Sequence, residues 1–367
     1  MFATIEVTAK EPLPDYDNDV HTTRSDIIVT AKEAMLREIS AGVKFNTTNW
    51  FGLEFSWKHH NIDGRGSNIS LTGDLDKNTP SAIIKHNIYD ILFPKQCLST
   101  QLFGLIENTS SYNVRKFGAE SIISHRITRH LTIGIGGRWE KSKTLDKVPE
   151  KKKQGAYIDT FGIPIELKFD NTDNSLDPQK GLRLSLNFTP YFLNKTRYNV
   201  VLAKASTYIG LKEQDELRNK FVLAIYSKYG TMLMDDNIEI PRSKYFFSGG
   251  VDSIRGYGNK KIGPLGNKTK KPTGGTSIFE IGIEPRFRVS NNMCLTAFVE
   301  AGTVFDRKNT KNLFKDLMYG YGVGLIYYTP IAPIRVNLAF PTKRRKNNKG
   351  KYIDSFCQLY ISIGQAF

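Results

Sequence analysis

No stretch of eighteen consecutive apolar residues occurs in this 367-residue chain, which excludes a helical membrane protein. Cysteine is scarce: Cys97, Cys294 and Cys357 are too few and too scattered for a disulfide framework or a zinc site. The six histidines form no H-E-x-x-H or related ligand spacing. The adjacent pair His59-His60 reads as a polar strand end, because neighbours on a strand face opposite ways. A phosphate-cradling G-x-x-x-x-G-K-[ST] loop and a G-x-S-x-G nucleophile elbow are both missing. None of these patterns marks a metal site, a nucleotide site or a nucleophile. An N-terminal signal peptide is also lacking, since Met1 leads directly into an amphipathic strand pattern, FATIEVTAK. Either an exported form has lost its N-terminus from this sequence, or the chain is not exported.

What the sequence does contain is alternation. In 37–45, Ile39, Ala41, Val43 and Phe45 fall on one face, opposite Glu38, Ser40, Gly42 and Lys44. The pattern returns at 51–58, 131–136, 161–170, 182–188 and 334–340. Such runs mark strands with one apolar face. Turn signals separate them, among them NIDGRG at 61–66, DNTDNSLDPQKG at 170–181 and VSNN at 289–292. From residue 38 onward there is room for sixteen strands, although 80–92, 97–107 and 112–124 alternate poorly. A membrane-crossing strand needs roughly 9–11 residues, which this spacing allows.

Low overall hydropathy is no obstacle, since half of each barrel strand is polar. The polar face is rich in Glu, Lys, Arg, Asn and Gly, which suits a watery lumen better than a sandwich core. Connections after even strands are mostly short. Several after odd strands are long, at 141–156, 230–276, 305–316 and 341–352, as in outer-membrane barrels. A soluble sandwich or lipocalin-like barrel would turn its apolar face inward and would not need sixteen strands.

Five segments in order carry a specific resemblance. KYFFSGGVDSIRGYGNKKIGP at 244–264 contains Ser253-Ile254-Arg255-Gly256-Tyr257, which resembles the [VI]RG[FY] motif of the BamA/TamA family of outer-membrane assembly factors. IFEIGIEPRFRV at 278–289 and AFVEAGTVFD at 297–306 follow, the latter similar to the family's FVDAG strand. YGVGLIYYTPIAPIRVNLAFP at 321–341 resembles another family segment, with Ile326 where that pattern carries Arg. FDNTDNSLDPQKG at 169–181 is similar to the turn between strands eight and nine, with Thr172 in place of Arg. The last ten residues, QLYISIGQAF, place Leu359, Ile361, Ile363 and Phe367 on one parity and resemble the C-terminal signal of outer-membrane proteins. EISAGV at 38–43 and the SIGQAF ending favour the TamA-like branch.

The resemblance implies an all-β fold, a 16-stranded antiparallel transmembrane β-barrel over 37–367 whose loop 230–276 folds into the lumen. Residues 1–36 are similar to the last two strands of a POTRA domain. Because the helices and earlier strand of that domain are absent, a truncated gene product, a mis-set start or a cut fragment is expected. Within the barrel, Arg255 is expected to clamp onto lumen carboxylates. Parity permits Glu280 and Glu284 on strand twelve and Glu300 on strand thirteen, and a guanidinium forks well onto carboxylates.

The resemblance also implies a protein that is not an enzyme, with no catalytic residue, no metal and no cofactor. The first and last strands meet at a seam; if it opens, a client strand can pair with the free edge. Gly364, Ile361, Ile363 and Phe367 belong to that seam, and Gly364 could weaken it. The expected clients are outer-membrane β-barrel proteins or autotransporters. The other expected partners are the lipid bilayer and an inner-membrane-anchored or periplasmic TamB-like subunit. A passive outer-membrane pore, a two-partner secretion transporter and an inactive truncated remnant are the competing readings.

The net charge of +16, from 52 basic against 36 acidic residues, gathers in 141–153 and 343–351. These clusters read as solvated loops, with attraction to anionic outer-leaflet lipid or surface polysaccharide as the second reading. Nucleic-acid binding is not expected, because no basic face is interleaved with base-contacting groups.

Overall fold

The computed structural model describes residues 2–9, 13–14, 23–24, 27–33, 35–47, 50–148, 154–175, 177–193, 196–211, 220–235, 238, 240–306, 316–329 and 333–363. Phe2–Ala9 pairs antiparallel with Ile27–Glu33 in a separate two-stranded sheet, with Val7 opposite Val29. From Arg37 onward the strands close into one antiparallel barrel. In order they are β1 Arg37–Asn46, β2 Trp50–His59, β3 Asn68–Asp76, β4 Ser81–Tyr89, β5 Gln96–Asn108 and β6 Tyr112–Arg126. Next come β7 Leu131–Asp146, β8 Gln154–Gly162 continued by Ile165–Asp170, β9 Gly181–Leu193, β10 Thr196–Leu211 and β11 Phe221–Leu233. The last five are β12 Ser277–Ser290, β13 Met293–Phe305, β14 Met318–Tyr328, β15 Pro333–Pro341 and β16 Gln358–Ile363.

β8 counts once because both halves lie between β7 and β9. Pro164 has no N–H to give the ladder, so the strand breaks there. Two backbone bonds span the gap: Gly136 N–H donates to the Pro164 carbonyl at 3.0 Å and Ile163 N–H to the Pro190 carbonyl at 3.1 Å. With these halves joined, the barrel has the sixteen strands that the alternation predicts.

Side chains sort by parity. Leu53, Phe55, Leu184, Leu186, Ile281, Ile283, Val299 and Val323 are all exposed on the outer wall, where a soluble protein would have no reason to hold so many. At the start of β6 the lumen face turns apolar for a local reason. Tyr112 and Val114 point inward and are fully buried against Phe247 of the β11–β12 connection.

The expected loop asymmetry is partly corrected. β7 runs to Asp146, so that connection shrinks to 147–153. The long connections that remain are 234–276, 306–317 and 342–357, all at one end of the barrel. The buried core accordingly lies inside the lumen, where Ile254, Tyr257 and Ile262 form one cluster.

Candidate functional site in the barrel lumen

The connection 234–276 turns back into the barrel and bridges opposite walls. On one side Arg242 Nε donates to both Asp146 carboxylate oxygens at 2.9 and 2.8 Å, Lys244 Nζ reaches Glu140 at 2.5 Å, and Lys260 pairs with Glu107. These partners stand on β5 and β7. On the other side lies the Ser253–Tyr257 stretch, against β12 to β16.

Arg255 is 8% exposed and makes the central contacts. Its Nε donates to Glu300 Oε1 at 2.6 Å, its backbone N–H to Glu300 Oε2 at 2.6 Å, and its Nη2 to Glu284 Oε2 at 2.8 Å. Alternation explains the meeting: with Ile283 and Val299 outward, Glu284 and Glu300 must face in. Glu280 behaves differently from the expectation. It does not reach Arg255; it accepts from Ser253 Oγ and from Lys228 Nζ, the latter at 3.2 Å. The three carboxylates thus hold two points of the motif.

Several partners were not legible beforehand. The Phe298 ring lies under the guanidinium, 3.4 Å from Cζ to the ring centroid, in a cation–π contact. Tyr226 donates its hydroxyl to Glu300. Tyr360, on the last strand, donates its hydroxyl to the Arg255 carbonyl at 2.8 Å. The last strand is therefore tied to the loop. Phe298 and Tyr360 show the correct inward parity in the sequence, but nothing there indicates their reach.

Gly256 earns its place by a close approach. A Cβ there would stand 2.5 Å from the Phe340 carbonyl oxygen on β15, so a side chain would push the motif off the wall. Tyr257 is fully buried, and its hydroxyl donates to the Lys343 carbonyl at 2.9 Å. Ile254 packs with Tyr257, Ile262 and Met318.

Where the β8–β9 turn carries Thr172, a guanidinium comes from elsewhere. Arg183 Nη2 donates to Thr172 Oγ1 at 2.9 Å, while its Nε donates to Asp170 at 2.9 Å. From the same turn, Asp177 accepts from Arg288 Nη2 at 2.5 Å and from the Tyr328 hydroxyl at 3.0 Å, joining the turn to β12 and β14. Ile326, which stands at the second departure, is buried opposite Arg335 in the β14–β15 register.

At the seam, β16 pairs with β1 through Tyr360 opposite Asn46, Ile361 opposite Phe45, Ser362 opposite Lys44 and Ile363 opposite Val43. Thr47 extends the contact, its N–H donating to the Leu359 carbonyl at 3.1 Å. Gly364 and Phe367 lie outside the described residues, as does the side chain of Ile363. Between the loop and the walls is a cavity of 610 Å³ lined by Lys44, Asp74, Lys228, Asp252, Arg286 and Arg335, among others.

Residues 39–367 match the Omp85 superfamily domain. The chain belongs to the Omp85 superfamily. It is similar to the outer membrane protein assembly factor BamA of Nitratidesulfovibrio vulgaris, at 21% identity over 354 residues, covering 93% of this chain and 43% of the relative. BamA of Neisseria meningitidis is likewise 21% identical, over 365 residues, covering 85% of this chain and 43% of that protein. The chain thus spans less than half the length of these curated relatives.

Among solved structures, BamA from Haemophilus ducreyi lacking POTRA domains 1–3 superposes with a TM-score of 0.76 at 18% identity, covering 99% of this chain and 75% of that one. CdiB from Acinetobacter baumannii gives 0.65 at 12% identity, covering 100% and 66%. This Omp85 barrel is an outer-membrane protein that crosses the bilayer on strands.

Proposed function

We propose that this Omp85 barrel assembles or translocates outer-membrane β-barrel proteins or autotransporters through the seam between β1 and β16. The observation that carries the reading is the tie from Tyr360 on β16 to the Arg255 carbonyl, which joins the closing strand to a loop clamped on Glu284 and Glu300. An edge strand freed at the seam would offer unpaired N–H and C=O groups to a client strand. The BamA likeness supports the same reading. On this proposal Ser253, Ile254, Arg255, Gly256 and Tyr257, with Glu280, Glu284 and Glu300, hold the loop, and Ile361, Ile363, Gly364 and Phe367 belong to the gating strand.

The finer placing in the TamA-like branch rests on the EISAGV start of β1 and the SIGQAF ending. A TamB-like partner belongs to that branch, and its co-purification with the chain tests it. The hairpin of Phe2–Ala9 and Ile27–Glu33 is read as part of a POTRA domain, whose role would be to hand clients to the barrel.

A seam crosslink tests the central claim. Phe45 and Ile361 stand opposite each other, so Phe45→Cys with Ile361→Cys, in a Cys357→Ser background, can bridge the two strands. Client insertion into liposomes is expected to fall at least tenfold when the pair is oxidised and to recover on reduction. Equal insertion in both states would exclude a lateral seam.

A further inference from the structure

The connection 342–357 between β15 and β16 is an ordered hairpin with an unbalanced charge. Lys346 and Tyr352 form a bridge, Asn347 N–H donates to the Lys351 carbonyl at 2.9 Å, and Ile353 N–H donates to the Arg345 carbonyl at 2.8 Å. Gly350 takes φ +75° in the turn, and the Asn347 side chain accepts from the N–H groups of Lys349 and Lys351 at 2.9 and 3.0 Å. The hairpin is therefore built, not merely solvated.

Its acidic complement is spent internally. Asp354, the one carboxylate in 342–357, is buried and accepts from Arg345 Nε and Nη2, both at 2.8 Å. Lys346, Lys349 and Lys351 remain exposed, and Arg344 stands half-buried beside them. Tyr352 is 48% exposed, and two cations lie near its ring, Arg344 at 4.0 Å and Lys346 at 4.8 Å from the centroid. The neighbouring connection adds exposed Lys268, whose carbonyl accepts from Asn348 at 3.4 Å. Like charges crowd this end of the barrel. Lys147 is pushed below the usual lysine range by partial burial and by Lys271 nearby.

The level of the hairpin is fixed by aromatic contacts. Tyr321 and Phe340 stack on the outer wall at 5.7 Å, and Phe356 packs edge-on against Phe340 at 5.8 Å while remaining 69% exposed. Phe356 therefore continues an apolar ladder that faces acyl chains. Trp50 and Phe51, across the seam on β2, are also exposed at this end. Aromatic side chains at strand ends mark the boundary between acyl chains and head groups. The exposed lysines of the hairpin belong to the connection that follows this aromatic level, on the side where head-group phosphates lie.

We propose that the hairpin 342–357 docks phosphate-bearing lipid head groups at the bilayer rim beside the seam, with Lys346, Lys349, Lys351 and Arg344 taking the phosphates and Phe356 seated among the acyl chains. The source is a lipid and not a soluble polyanion, because the hairpin that carries the cations runs directly into Phe356, which joins the exposed aromatic stack of Tyr321 and Phe340. The site is independent of whether the seam opens.

The test uses the full chain in a zwitterionic detergent, with lipid A diphosphate as probe and native mass spectrometry of adducts as readout. The wild type is expected to retain the lipid, and Lys346→Gln/Lys349→Gln/Lys351→Gln to retain at least fivefold less at equal lipid concentration. The matching triple Lys→Arg variant should bind as wild type, and Phe356→Ser should weaken binding about threefold. Heat-modified gel mobility checks that every variant keeps a closed barrel. Undiminished adducts in the Gln triple, or equal binding of dephosphorylated lipid A, would overturn the proposal. So would equal competition by a deacylated phosphorylated glycan, which would assign the charge to soluble polyanions.

Discussion

Arg255 is held by more bonds than any ordinary loop residue needs. Two carboxylates, an aromatic face and a tyrosine hydroxyl converge on one residue. Removing the guanidinium strips buried Glu300 of its cation, while Glu284 keeps Arg286 at 2.9 Å, and removing one partner is the costly way to break a buried pair. Arg255→Ala should therefore destabilise the barrel by up to about 3–5 kcal/mol, less where lumen water reaches the carboxylates. Tyr360→Phe removes one hydroxyl and should cost only about 1 kcal/mol. The temperature at which detergent-solubilised protein loses its compact gel mobility reads both. Equal temperatures for Arg255→Ala and wild type would show that the contacts hold nothing. Parity alone put Glu280, Glu284 and Glu300 in the lumen, but it could not apportion them. Glu280 serves Ser253 because distance along the strand, invisible in alternation, decides which carboxylate meets which donor.

At the level of elements, alternation was legible because lipid and water impose opposite demands on the two faces of every strand. It was weak from β4 to β6; on β6, Tyr112 and Val114 meet Phe247 and the lumen face turns apolar. It also gave no warning that β7 extends to Asp146, since that end holds Arg242 through a carboxylate instead of a hydrophobic face. The two faces of β9 give a clean contrast. Leu184 is exposed on the outer wall and Ser185 turns inward. Leu184→Arg places a charge in hydrocarbon and should cost roughly 2–4 kcal/mol near the midplane. Ser185→Arg keeps its charge in the lumen and should cost little. Urea titration of the folded fraction in lipid vesicles separates the two. Equal costs would mean that the outer wall does not meet lipid.

For the whole molecule the decisive feature is a loop that crosses its own barrel. Strand count and closure follow from periodicity, but a path that returns into the lumen is set by long-range pairs such as Arg242 with Asp146 and Arg255 with Glu300, far apart in sequence. Only the family motif pointed to it. The consequence is measurable as ion flow. A sixteen-stranded barrel with an empty lumen would conduct as a wide pore. Here residues 242–262 pin to β5 and β7 on one side and to β12, β13, β15 and β16 on the other, leaving a bounded cavity. Single proteins in a planar bilayer should show low conductance. Replacing 245–275 with a short Gly-Ser linker should raise it severalfold, because the segment that fills the lumen is removed together with its Arg255 and Lys260 ion pairs. A passive pore makes the opposite demand: steady, large conductance with the loop intact. Equal currents before and after the replacement would show that the loop does not obstruct the lumen, and the pore reading would then displace the assembly reading.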